Sequence, residues 1–90
     1  MAKKKWGYLY ILNCKNIYTI GVSRNVENRI TQLTKMPYEI KCEYKKWVYN
    51  PYHVEKFFHE TFEHKRVNGE WFNLDANDLR YITGMVENAL

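Results

Sequence analysis

Tyr8-Leu9-Tyr10-Ile11-Leu12 and Ile17-Tyr18-Thr19-Ile20-Gly21 are two short runs of apolar and aromatic residues near the front of the chain. Aromatic and β-branched side chains suit a pleated, half-buried surface. The polar pair Lys15-Asn16 between the runs reads as a tight hairpin turn. Strands are expected over residues 6–14 and 17–22. Arg29 follows Gly21 by eight residues, on what reads as the first helix. That spacing allows a phenol and a guanidinium to share one small surface, where a phosphodiester can be gripped and attacked.

Outward from the hairpin, the pattern alternates between helix and strand. Asn25 is expected to cap a helix running to about Lys35, its side chain accepting orphan backbone N–H groups. Val26, Ile30 and Leu33 form an apolar stripe at helical spacing, and Pro37 stops it. Residues 39–49 alternate in part and read as a third strand. Asn50-Pro51 marks a helix start, a cap followed by proline in the first turn. That helix is expected to reach about Lys65, with Val54, Phe58 and Phe62 inward. Val67-Asn68-Gly69 turns the chain, and residues 70–74 form a short extended segment. Asp75, with Asp78 in a capping-box position, opens a last helix through Leu90, with Leu79, Ile82, Val86 and Leu90 inward. The expected fold class is α/β of the α+β kind: a small three-stranded antiparallel sheet flanked by helices, in the order β-β-α-β-α-(β)-α.

Ninety residues suffice for one domain with a small core. Residues 1–5, which include Lys3-Lys4-Lys5, read as a basic flexible tail, and 6–90 as a single domain. The hydrophobic share is 46% and the aromatic share 17%, with eight tyrosines. A net charge of +4 is compatible with nucleic acid without being diagnostic of it. Cys14 and Cys42 are too few for a disulfide framework and too far apart for a metal knuckle; they read as small thiols in a reducing compartment. No apolar run approaches the ~18–20 residues that span a bilayer, and the basic start lacks a signal peptide's apolar segment. The expected setting is the cytosol, that of a host cell if the chain is viral.

The order of these residues resembles the GIY-YIG nuclease superfamily, in particular its short viral and bacterial branch. Tyr8-Leu9-Tyr10 is similar to the first motif, with Tyr10 at its terminal tyrosine. Thr19-Ile20-Gly21 is similar to a degenerate second motif. Arg29 lies at the family's arginine spacing, and Glu55 matches the metal-binding glutamate of the later helix. His59 and Gly69-Glu70-Trp71-Phe72 match the signature of the short branch. The chain departs from the pattern at Thr19, where the second tyrosine falls, and at Leu33, where many members carry histidine. Tyr18 lies one step from Thr19, and one step along a strand turns a side chain to the other face unless a bulge intervenes.

The resemblance implies hydrolysis of DNA phosphodiesters with one divalent ion, Mg2+ or Mn2+. In that reading Tyr10 contacts or deprotonates the attacking water, with Tyr18 or Thr19 as the second hydroxyl. Arg29 lowers the phenol's pKa or holds the phosphate, Glu55 holds the metal through a hard oxygen, and His59, one turn on, carries a proton. Arg24 and Lys35 are the expected backbone contacts on the nucleic acid. Gly21, Glu70 and Trp71 support the site, Glu70 by capping or salt-bridging.

Each residue also has a plainer reading. Tyr10 reads equally as a half-buried strand aromatic, Arg29 as a solvated helix arginine, Glu55 as a dipole-favoured carboxylate, and His59 as a surface histidine. Lys45, Lys46 and Trp47 read first as an edge strand protected by charge. The functional alternatives are therefore an endonuclease, or a catalytically weak or inactive nuclease-like module that binds DNA or a host protein. A homodimer, or a partner supplying specificity, is compatible with either; no membrane partner is expected.

Overall fold

In the computed structural model, residues 5–33 and 38–89 are described. The expected helix end at Lys35 and Pro37, the lysines of the tail before Lys5, and Leu90 lie outside them. The elements are β1 (Trp6–Cys14), β2 (Ile17–Ser23), α1 (Val26–Leu33), β3 (Lys41–Tyr49), α2 (Pro51–Thr61), a 3-10 turn (Glu63–Lys65), β4 (Arg66–Asn68), β5 (Trp71–Phe72) and α3 (Ala76–Ala89).

The hairpin forms as its turn chemistry requires. Lys15 and Asn16 both take positive φ, 54° and 67°, which matches the twist of the flanking strands in a two-residue turn. The Asn13 carboxamide oxygen accepts the Asn16 N–H at 2.8 Å. From this turn the register runs unbroken along β2, setting Leu12 opposite Thr19, Tyr10 opposite Gly21 and Tyr8 opposite Ser23.

The sheet has five antiparallel strands in the order β3-β1-β2-β5-β4, not the three expected. β5 lies within the extended segment expected at residues 70–74, while β4 takes up Val67 and Asn68, which were expected only to turn the chain; at two and three residues both are too short for periodicity to place them in the sheet. They exist because Trp71 and Phe72 find partners in Thr19 and Tyr18 once the chain has folded back. The second helix also ends sooner than expected, at Thr61, with Phe62 leaving helical geometry at φ −105° and a 3-10 turn following. The third strand begins at Lys41 rather than at residue 39.

Alternation along β1 and β2 splits the core into two layers. Leu9, Ile11 and Ile20 pack with Phe58 of α2, with Phe62 just beyond its end, and with Ile82 and Val86 of α3. Tyr10, Leu12 and Cys14 pack on the other face with Val26 of α1, and Ile30, Leu33 and Trp71 lie against them.

The helix starts differ in mechanism. Asn25 caps α1 through its side chain, taking the Asn28 N–H at 2.9 Å. Asp75 and Asp78 exchange reciprocal bonds of 2.9 Å at the start of α3, the two-way arrangement of a capping box. Asn50 does not cap α2 with its side chain as expected. It adopts the left-handed conformation (φ 56°, ψ 54°), which asparagine tolerates better than most residues. Its N–H donates to the Lys5 carbonyl, so the turn into α2 is pinned to the start of β1. Pro51 then sits against Gly7, where an added Cβ would lie 3.2 Å from the proline ring.

Candidate active site

Gly21 makes room for Tyr10. A Cβ on Gly21 would stand 2.5 Å from Tyr10 Cζ and 2.8 Å from Cε1, so only glycine lets the phenol ring lie flat across β2. The ring is buried, and its hydroxyl accepts a hydrogen bond from Arg29 Nε at 3.2 Å. Arg29 reaches it from α1, whose inward face is seated on the same layer by Val26 and Ile30. The guanidinium turns its Nη2 to Glu70, in the turn between β4 and β5, at 2.7 Å. Both charges of that pair are about one-third exposed, 33% and 29%. Among the described residues, Nη1 of Arg29 has no partner.

Glu55 and His59 come from α2 and approach from the other side of the sheet. They meet the first group because β5 is so short. Its pairing with β2 stops at Thr19, and the next carbonyl of β2, that of Ile20, bonds His59 Nε2 at 2.7 Å. A carbonyl can only accept, so Nε2 carries a hydrogen, and in the neutral ring Nδ1 is then the acceptor. The imidazole also lies on the Phe72 ring, centroids 5.1 Å apart, and 4.0 Å from the Glu55 carboxylate. Where the pairing of β2 with β5 stops, a notch is left in the sheet's ladder, and beside it groups from both layers come within electrostatic reach of one another.

The charges there oppose as well as support each other. Burial pushes the Tyr10 phenol up from its ordinary value; the Arg29 bond pulls it down, and the Glu70 and Glu55 carboxylates push it up again, with a net rise. Burial also raises Glu55, with His59 lowering it and Glu70 raising it. Tyr10 is therefore a proton-bearing phenol at neutral pH. Glu55 is a partly buried carboxylate facing a second carboxylate, a setting that disfavours its charge and that a cation would relieve.

The remaining expected site residues divide. Thr19 shares the Tyr10 face but is fully buried, and among the described residues its hydroxyl has no hydrogen-bond partner. Tyr18 points to the opposite face, against the α2 and α3 layer; the unbroken register of β2 with β1 provides no bulge to re-aim it. Trp71 packs on the Tyr10 layer, and Leu33 does the same. Arg24 is exposed at the entry to α1 and makes no ion pair among the described residues. Lys35 lies outside them. Lys45 and Lys46 lie on β3, an edge strand, bound to Glu27 at 3.3 Å and Glu87 at 3.0 Å.

Two features were missed in the sequence. One is the bond between His59 and the Ile20 carbonyl, which no local signal announces. The other is the fit of Gly21 to Tyr10. That was readable, because a two-residue turn at Lys15-Asn16 dictates which residues face each other.

The site thus belongs to a mixed α+β domain in which an arginine is clasped between a phenol and a carboxylate, with a second carboxylate nearby. A family model described as the T5orf172 domain matches residues 7–87, and the chain belongs to that family, a phage-associated domain of the nuclease-related group. No curated protein matches it significantly, and neither does any solved structure. Among the described residues, no helix is long and apolar enough to cross a membrane.

Proposed function

We propose that the protein is a divalent-metal-dependent DNA endonuclease of the GIY-YIG type, working at the notch formed by Tyr10, Arg29, Glu55 and His59. The supporting observation is the clasp on Arg29. Its fork is held through Nε by Tyr10 and through Nη2 by Glu70, which leaves Nη1 for a phosphate oxygen. A pre-oriented guanidinium loses little freedom on binding and stabilises negative charge as it develops.

Among the described residues, no three His, Cys, Asp or Glu side chains gather into a cation cage. Mg2+ commonly takes only one or two protein carboxylates and keeps much of its water. Glu55, raised by burial and by Glu70, fits that role, and Mn2+ suits the same hard oxygen. An ion there would supply Lewis-acid charge to the phosphate.

The chain's own groups then divide the work. Arg29 holds the phosphate. Tyr10, protonated at neutral pH, donates its O–H to the water or to a phosphate oxygen rather than acting as a base. His59, its Nε2–H fixed on Ile20, offers Nδ1 to take the proton of the attacking water. One centre of this kind cuts one strand; cutting both requires a second copy or a second event.

The decisive assay is nicking of supercoiled plasmid across a series of divalent ions. Activity with Mg2+ or Mn2+ should be lost in Glu55→Ala and in Arg29→Ala while circular dichroism stays unchanged. The second reading is a weak or inactive module that holds DNA, and the buried Thr19 and averted Tyr18 favour it, since only one phenol serves the notch. Metal-independent DNA binding with no nicking under any ion would establish that reading instead.

A further inference from the structure

On the face that carries Tyr10, the first rungs of the β1–β3 ladder are aromatic and open. Trp6 stands opposite Tyr49, Tyr8 opposite Trp47, and Tyr10 opposite Lys45. Directly opposed residues share a face, as do residues two apart along a strand. The six side chains therefore form one stripe that leads into the notch. Trp6, Trp47 and Tyr49 are 49%, 42% and 52% exposed, a heavy cost in apolar surface for a chain with so small a core. The rings are ordered among themselves: Trp6 and Tyr49 meet edge to face at 5.4 Å, Tyr8 and Trp47 at 4.9 Å. Lys45 holds its ammonium 4.9 Å over the Tyr8 ring. Arg24 follows Ser23, which lies opposite Tyr8 on the other side.

Resting on the nuclease reading, we infer that this stripe is a stacking platform for an unpaired DNA strand, so that the substrate is DNA with single-stranded character beside the scissile phosphate. Exposed rings flanked by Lys45 and Arg24 match a chain of flat bases on an anionic backbone, since aromatic side chains stack bases of any sequence and cations follow the phosphates. Successive rungs are about 6.7 Å apart, two strand residues, a step that an unstacked strand can match. A duplex hides its base faces and gives the rings nothing to stack on. A second copy of the chain is a poorer occupant, because β3 is an edge strand carrying Lys41, Lys45 and Lys46, and two such edges repel.

The test is titration of tryptophan fluorescence in EDTA at low salt, with short oligothymidylate and with a duplex of equal length. Oligothymidylate should quench the wild-type emission and the duplex should quench it weakly. Trp47→Ala and Trp6→Ala should each weaken binding about tenfold, with circular dichroism unchanged, and Trp47→Phe should restore most of the loss. EDTA keeps binding apart from cutting, and Tyr81→Ala, at an exposed ring on α3, should bind like the parent. If plasmid nicking fails while this pattern holds, the catalytic reading falls and the platform stands. Parental affinity in both alanine variants, or equal quenching by duplex, would overturn it. So would sedimentation showing a dimer that the two alanine substitutions dissolve, since the stripe would then be an interface between copies.

Discussion

Gly21 and Tyr10 are fitted closely to each other. A methyl group at residue 21 would occupy the space of the phenol ring, so Gly21→Ala should swing Tyr10 off Arg29. Overpacking of this sort costs about 1–3 kcal/mol. The variant should stay folded by circular dichroism while plasmid nicking drops to the level of Tyr10→Phe. Nicking at the parental rate would show that the clasp is dispensable.

Glu55 yields a second prediction at this scale. Its pKa is raised in the folded protein, by burial first. The stability it lends is therefore present below the carboxylate's unfolded value and is lost as pH rises through the folded one. At neutral pH the ionised group works against the fold, and Glu55→Gln should melt a few degrees higher; each ~1 kcal/mol moves the midpoint by about 4–8 °C in a chain of this size. Mg2+ or Mn2+ should raise the melting temperature of the parent and leave that of the glutamine variant nearly unmoved. Equal shifts in both would place the ion elsewhere.

Among the elements, the helix starts and the hairpin were legible because their signals are local. Asn25 and Asp75 cap through side chains that reach only a few residues, and the Lys15-Asn16 turn depends on its own backbone angles. The extended segment read at residues 70–74 is where β5 lies, but its pairing with β2, and β4 pairing with it in turn, could not be read. The end of α2 was also hidden, because Phe62 continues the apolar stripe after the helix has stopped. The closing box of α3 is tied further by Lys65, which reaches Asp78 at 2.6 Å. The bonds to Asp78 hold Asp75 below its ordinary pKa, its contacts with backbone N–H first. That stability is present above the unfolded value and fades as pH falls through the folded one. Asp75→Ala should lower the melting temperature at pH 7, with the difference from the parent shrinking in acid. A gap that persists undiminished at low pH would mean that the cap's charge plays no part.

Across the whole molecule, charge and shape point the same way. The net +4 is modest, so DNA affinity should fall with rising salt along a shallow line that reports only a few phosphate contacts. Arg24→Ala should flatten that line by about one contact without altering the melting temperature. A salt slope the same as the parent's would remove Arg24 from the interface.

The sequence by itself determined the hairpin, the capped helices and the identity of the chemical groups, because each depends on neighbours a few positions away. It also kept Tyr10 and Thr19 on one face and Tyr18 on the other, since alternation along a strand is obligatory. Only the tertiary structure decided that Arg29 is clasped by Glu70, that Thr19 is sealed from solvent, and that two layers of the core open on one notch. Those outcomes rest on a two-residue strand ending early beside β2, which leaves the Ile20 carbonyl to His59. Contacts between residues dozens of positions apart are set by how the layers pack, and packing has no local signature in the chain.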